Sequence, residues 1–173
     1  SCHQSEEFAC AEKPVKKLAA ILKAYLCETD SPQLEKISVG VPATVYRDFD
    51  TVYCAPNLNN HEGNPVLDGL PVADLFAAGM GIPVVVNKDV NNLLAFYMMA
   101  NQLPGTVVGC YIGTGCGTSI CIDGRVVYGR HGFALDAGHV SLYGQKGICG
   151  CGTMGCSETI ASGTALNHLR RKY

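Results

Sequence analysis

The first half of the chain alternates helical apolar patterns with short runs of β-branched residues. Apolar side chains recur every three or four positions from Val15 to Leu26, directly after Pro14, which predicts a helix beginning at that proline. The segment KISVGVPATVYRDFDTVYCAPNL predicts a strand, a tight turn at 40–42 and a hairpin at about 47–50. LPVADLFAAGMG predicts a short helix ended by its glycines, and IPVVV predicts a buried strand.

The middle of the chain has no charged residue from Val90 to Ile122. A membrane-spanning helix is the first interpretation to test for such a stretch. Pro104 and five glycines between 105 and 117 would break that helix. The sequence therefore predicts no membrane span here.

The same stretch is better divided into one helix and two strands. A buried helix is predicted from Asp89 to about Gln102, and the strands TVVGCYI and TSICI are joined by residues 113–117. Asp123-Gly124 predicts a hairpin turn into RVVYG. Helices alternating with strands and hairpins indicate an α/β fold with mixed sheets. The Leu-Pro-Gly after the helix predicts a boundary between the remainder of an N-terminal lobe, 1–103, and the start of a C-terminal lobe, 104–173.

Composition narrows the classes of function. The 173 residues carry a net charge of -2 without a basic stripe, which disfavours nucleic-acid binding through this segment. Ten cysteines without a secretory signal sequence indicate free thiols in a reducing cytoplasm rather than a disulfide framework. Because the chain starts at Ser1 and stops within a helical pattern, we expect it to be truncated.

One glycine-rich segment gathers four soft ligands. They stand 10, 2 and 5 positions apart and are His139, Cys149, Cys151 and Cys156. Three cysteines and one histidine form a standard closed ligand set for structural zinc, and the intervening glycines let the backbone wrap around an ion. The alternative is four unrelated residues in a glycine-rich loop. A closed zinc site also disfavours a nucleophilic cysteine paired with the histidine, because a thiolate that binds zinc is not available as a nucleophile.

Two carboxylates flank this ligand set. Asp136 precedes the histidine by three positions, and Glu158 follows the last cysteine by two. Both would be held near the metal and could reach a shared cleft. For Glu158 the alternative is a place in the first turn of the final helix, where the helix dipole favours a negative charge.

These residues carry a family resemblance. GHVSLYGQKGICGCGTMGCSE closely resembles the signature of the ROK family (repressors, open reading frames and sugar kinases). VGVPATV with APNL, then KDVNN, then IGTGCGTSICIDG match further motifs in the same order, so that the resemblance spans about 37–165. It implies part of an actin-like ATPase (ribonuclease H-like) fold and either an ATP-dependent sugar kinase or a repressor with the same sugar-binding body.

The resemblance also implies roles for individual residues. Asp89 resembles the catalytic base, and Gly113, Thr114 and Gly115 resemble the loop that approaches the transferred phosphate. The implied sugar-binding residues are Lys88, Asp136, His139 and Glu158, of which the histidine would also bind zinc. Zn²⁺ would be structural, and Mg²⁺ would enter with ATP.

Elementary chemistry agrees with these roles without requiring them. Phosphoryl transfer to a hydroxyl needs a carboxylate that orients the nucleophile and accepts its proton, and Asp89 follows a buried strand. The same aspartate could be a helix N-cap, alone or in addition. Glycines around Thr114 let backbone N–H groups approach a phosphate, although any tight connection between strands could use them.

Several positions depart from the family pattern. Lys88 stands where asparagine is usual, and VPA replaces VPG, two features that point to an allose-kinase-like member. Asp136 replaces glutamate, and Leu135 replaces a usual glycine. The N-terminal Asp-x-Gly-Gly-Thr phosphate loop and the C-terminal part of the adenosine site are not in this sequence, so we expect a central fragment.

Three functions follow from these observations. The first is hexose or amino-sugar phosphorylation by ATP, with allose as one candidate and with a homodimer as the assembly common in the family. The second is a sugar-sensing repressor body whose DNA-binding portion lies outside this sequence. The third is a zinc-stabilised binding module without activity.

Overall fold

The computed structural model describes residues 14–28, 34–60 and 62–172. The chain divides into two compact units, 1–89 and 90–173. Each unit has its own cluster of buried apolar side chains. The lobe boundary predicted from sequence, after residue 103, remains a prediction.

The first unit contains two small sheets. A parallel pair is formed by β1 (Ile37–Val41) and β4 (Val84–Lys88), and an antiparallel pair by β2 (Thr44–Val45) and β3 (Val52–Cys54). The predicted hairpin is therefore confirmed. The predicted turn at 40–42 begins later than expected, because the ladder continues to the last residue of β1.

Two helices cover the first unit. They are α1 (Pro14–Glu28) and α2 (Val72–Met80), as the apolar spacing predicts. Gly79 of α2 lies where a Cβ would come within 3.1 Å of the Cβ of Ala19, so this glycine permits close packing of the helices. Gly81 ends α2 in the left-handed conformation, with φ of 71°.

The first element of the second unit is helix α3 (Asp89–Asn101). The unit itself starts at Val90, the second residue of that helix. Its buried residues are Val90, Asn91, Leu94 and Met98. The prediction of a buried helix is wrong for its other face, where Leu93, Phe96, Tyr97 and Met99 are exposed. Absence of charge identified an apolar helix but could not show how much of its circumference packs.

The sheet of the second unit is antiparallel throughout. It comprises β5 (Thr106–Ile112), β6 (Cys116–Ile122) and β7 (Arg125–Val126). β6 begins earlier than predicted, which shortens the connection from β5 to three residues. Asp123 and Gly124 both have positive φ, 47° and 77°, as a two-residue type I′ hairpin requires.

The rest of the second unit is mainly irregular. Two 3₁₀ turns, Ala137–His139 and Ser157–Thr159, precede the final helix α4 (Gly163–Lys172). Glu158 therefore lies in a 3₁₀ turn, and the alternative that placed it in the first turn of the final helix is wrong. Among the described residues, no helix is long and apolar enough to span a membrane.

Candidate metal centre and adjoining glycine loop

The four predicted zinc ligands lie together. The ligand atoms of His139, Cys149, Cys151 and Cys156 are all within 4.8 Å of one another. Nδ1 of the histidine is 3.5 Å from Sγ of Cys149, and the other two sulfurs are 3.7 Å apart. Tetrahedral zinc with bonds of about 2.3 Å to sulfur and about 2.0 Å to nitrogen gives edges of about 3.5 Å for N···S and about 3.8 Å for S···S. The donor set and these two separations fit zinc.

A tight loop presents the three cysteines. The Cys149 N–H donates to the Thr153 carbonyl at 3.0 Å, and the Gly152 N–H donates back to the Cys149 carbonyl at 2.9 Å. Gly152 and Gly155 have φ of 84° and 81°, values that residues other than glycine rarely adopt. The Gly155 N–H also donates to the carbonyl of Gly147. The loop geometry thus depends on the glycines that separate the ligands.

Strand β6 positions the histidine. The Thr118 hydroxyl donates to the Leu135 carbonyl at 2.6 Å and accepts the Ala137 N–H at 3.0 Å. Gly138 packs so closely on the Cys116 carbonyl that a Cβ would overlap it. His139 follows directly and closes the 3₁₀ turn by donating its N–H to the Asp136 carbonyl. Sequence reasoning missed the role of this threonine, and the only signal for it was a polar residue within an apolar strand.

The thiols differ in their acidity. Burial raises the pKa of Cys149 to about 12, and burial also raises the pKa of Cys156. Burial acts in the same direction on Cys151, but hydrogen bonds to Thr153 and to the other two thiols outweigh it and lower its pKa to about 7. A bound cation would be required to hold all three as thiolates at neutral pH.

Glu158 joins this centre to the connection between β5 and β6. Its Oε2 accepts the Cys116 N–H at 2.7 Å, and its Oε1 is 3.6 Å from Sγ of Cys149. The carboxylate lies so close to Gly115 that a Cβ there would overlap Oε2. The glycine is therefore required for this approach.

The Gly113–Gly115 loop is tied by its carbonyl groups. The Gly113 carbonyl accepts the Gly163 N–H at 2.8 Å. The Thr114 carbonyl accepts both the N–H of Thr164, at 3.3 Å, and its hydroxyl, at 2.8 Å. The N–H groups of Thr114 and Gly115 have no hydrogen-bond partner among the described residues. Two consecutive unpaired donors of this kind can bind an anionic oxygen.

Lys88 and Asp89 belong to the first unit. Lys88 is the last residue of β4, where it pairs with Val41, and Asp89 begins α3. They therefore stand at the carboxyl end of a parallel strand pair, the edge at which ligands bind in open α/β sheets. Their predicted place beside His139 and Glu158 remains a prediction.

Comparison with known proteins identifies the family. Residues 3–172 match the profile of the ROK family. The chain belongs to the ROK family. It is 33% identical over 136 residues to a glucokinase from Streptomyces coelicolor, an alignment that covers 76% of this chain and 41% of that protein. It is also 28% identical over 167 residues to a xylose repressor from Caldicellulosiruptor bescii, which covers 95% of this chain and 38% of the repressor.

A solved ROK structure agrees with this assignment. The ROK glucokinase from Streptomyces griseus, determined in complex with glucose and AMPPNP, superposes with a TM-score of 0.79 at 29% identity. The match covers 94% of this chain and 50% of that protein. The ROK sugar kinases have an actin-like ATPase fold, so that part of the predicted fold is confirmed. The chain spans half or less of the length of these three relatives, and it corresponds to a central part of the family's longer proteins.

Proposed function

We propose that this chain is the sugar-binding and phosphate-facing part of an ATP-dependent sugar kinase that phosphorylates a hexose hydroxyl. The observation that carries the proposal is the Gly113–Gly115 loop. Its two unpaired N–H donors lie beside a glutamate that also contacts the Cys/His centre. The bound glucose and AMPPNP of the Streptomyces griseus relative support a sugar and a nucleotide as the ligands.

In this proposal Asp89 is the catalytic base. Phosphoryl transfer to a sugar requires a protein carboxylate that orients the sugar hydroxyl and accepts its proton. The position at the end of β4 and the start of α3 supports that role. The sugar would be held by Lys88, Asp136, His139 and Glu158.

The remaining groups would stabilise the site and the phosphates. His139, Cys149, Cys151 and Cys156 would hold Zn²⁺ as a closed structural site, which leaves no open position for catalysis. The N–H groups of Thr114 and Gly115 would bind phosphate oxygens. Mg²⁺, arriving with ATP, would supply charge neutralisation of the phosphates.

The substrate class is a hexose or an amino sugar. The glucokinase relatives support glucose as the first sugar to test. Lys88 places a cation where the family pattern has an amide, and Asp136 is one methylene shorter than glutamate. Both differences alter the groups proposed to face the sugar hydroxyls, so allose belongs in the same test.

The test is sugar-dependent ADP release by the full-length protein that contains this sequence. Mg-ATP is supplied with glucose, allose, fructose or N-acetylmannosamine, and Asp89→Asn is compared with wild type. The loss of a general base should lower kcat by at least about a hundredfold. Asp123→Asn, in the exposed turn after β6, is the matched control, since asparagine accepts the positive φ found there. Sugar-independent ADP release, or an Asp89→Asn rate within a few-fold of wild type, would contradict the proposal.

A sugar-sensing repressor is the second candidate. The xylose repressor relative supports it because that alignment covers 95% of this chain. The two candidates separate in the same experiment. A repressor would bind one sugar of the panel without releasing ADP, and that sugar would change the affinity of the full-length protein for DNA.

A further inference from the structure

Glu158 contacts two features that are distant in sequence, the Cys/His centre and the glycine loop. We infer that Glu158 is a positioning residue that holds the Gly113–Gly115 loop in place relative to the Cys/His centre, beyond its proposed contact with sugar. The inference rests on the proposed function only for the identity of the ligand that the loop binds. The contact itself does not depend on that function.

The hydrogen bond from the Cys116 N–H to Glu158 Oε2 is short and charge-assisted, at 2.7 Å. It holds the residue at which the loop ends and β6 begins. Each carboxylate oxygen has two acceptor positions, so this bond leaves capacity for a sugar hydroxyl. One side chain can therefore serve both purposes.

Glu158 is itself fixed by the segment that carries the last zinc ligand. The Thr159 hydroxyl donates to the Cys156 carbonyl at 2.7 Å, and the Ser157 hydroxyl donates to the Ala137 carbonyl at 2.6 Å. The Ser157 N–H also donates to the Val140 carbonyl. The two ligand-bearing segments, around the histidine and around Cys156, thus hold the 3₁₀ turn that carries Glu158.

The loop is consequently held from two directions. Helix α4 binds the carbonyls of Gly113 and Thr114, and Glu158 binds the N–H that follows Gly115. Between these attachments stand the two unpaired N–H donors. If Glu158 is lost, the α4 attachment, the bond from the Gly113 N–H to the Gly115 carbonyl and the pairing of Cys116 with Ile112 all remain. The Cys116 N–H loses its acceptor, which should make the two neighbouring donors more mobile.

The first test is amide hydrogen exchange at Cys116 in this chain. Glu158→Ala should accelerate exchange at that amide by about tenfold or more, the loss expected for a hydrogen bond to a charged acceptor. Glu158→Gln should accelerate it less, because its amide oxygen can still accept. The Cys121 amide, further along β6, is the internal reference for folding.

A second pair of variants tests the same contact without changing Glu158. An added methyl group in Gly115→Ala would displace the flexible carboxylate and should give the Glu158→Ala exchange pattern. Gly113→Ala is the matched control, because its Cβ would meet no atom within 4 Å, and Cys116 exchange should stay at the wild-type rate. Unchanged Cys116 exchange in both Glu158→Ala and Gly115→Ala would overturn the inference.

Kinetics of the full-length protein separate this inference from the proposed function. Positioning of the loop predicts that Glu158→Ala raises the KM for ATP as well as that for sugar, whereas a residue that only bound sugar would raise the sugar KM alone. A protein with no kinase activity would contradict the proposed function and leave the exchange result to decide the positioning role.

Discussion

The side chain of Asn91 accepts a 2.6 Å hydrogen bond from the hydroxyl of Ser119, and both residues are buried. The bond joins α3 to β6 within the second unit. Beside it, Val90 packs against Gly117 so closely that a Cβ on the glycine would overlap the valine side chain. These two contacts fix the start of the helix against the strand that follows the glycine loop.

Removal of this buried hydrogen bond should destabilise the second unit. Ser119→Ala leaves the Asn91 oxygen without this donor, and we expect the free energy of unfolding to fall by about 1–3 kcal/mol. Urea denaturation measures the change. In a double-mutant cycle, Asn91→Leu should make the added Ser119→Ala change much less costly than it is in wild type. Simple additivity of the two changes would show that the pair does not interact.

Zinc should be recovered with the purified protein in about a one-to-one ratio, because the four donors form a closed set. Cys151→Ala should reduce the bound metal, as measured by mass spectrometry. The control is Cys27→Ala, which removes an exposed cysteine of α1.

Chelation should unfold the region after Gly138 and abolish sugar binding, since folding of such loops is linked to the metal. Unchanged sugar affinity in the metal-free protein would contradict a supporting role for zinc.

Zinc affinity should depend on pH through the thiols. At about pH 8 the thiols of Cys149 and Cys156 are still protonated, because burial raises their pKa values, whereas Cys151 with a pKa of about 7 is largely ionised. Binding should therefore release about two thiol protons at pH 8 and about one more as pH falls below 7. The apparent affinity rises with pH for the same reason. Calorimetry in buffers of different ionisation enthalpy counts the protons, and a pH-independent affinity would contradict zinc–thiolate ligation.

The sequence predicted features that are local and missed those that are not. Helical spacing identified α1, and Asp123-Gly124 identified the hairpin, because each signal lies within one element. The Cys/His centre was predictable for the same reason, since its ligands stand within a short segment. The bond from Cys116 to Glu158 joins residues 42 positions apart, and no local pattern indicates which backbone N–H a carboxylate reaches.

The apolar helix illustrates a second limit. The uncharged stretch predicted α3, but Phe96 and Met99 are exposed whereas Leu94 and Met98 are buried. Periodicity identifies a buried stripe only when polar residues occupy the opposite face. Here both faces are apolar, so sequence cannot show which face packs. The structure identifies it by its contacts with Val107, Tyr111 and Cys121.

Leu135 has a φ of 54°, in the left-handed region that favours glycine. A side chain there costs about 1–2 kcal/mol, and glycine costs about 0.5–1 kcal/mol in backbone entropy. Leu135→Gly should therefore be more stable than Leu135→Ala by up to about 1.5 kcal/mol. Both variants lose the leucine packing, so their difference isolates the backbone effect. Urea denaturation measures it, and a Leu135→Ala variant clearly more stable than Leu135→Gly would show that the backbone at this position is not strained.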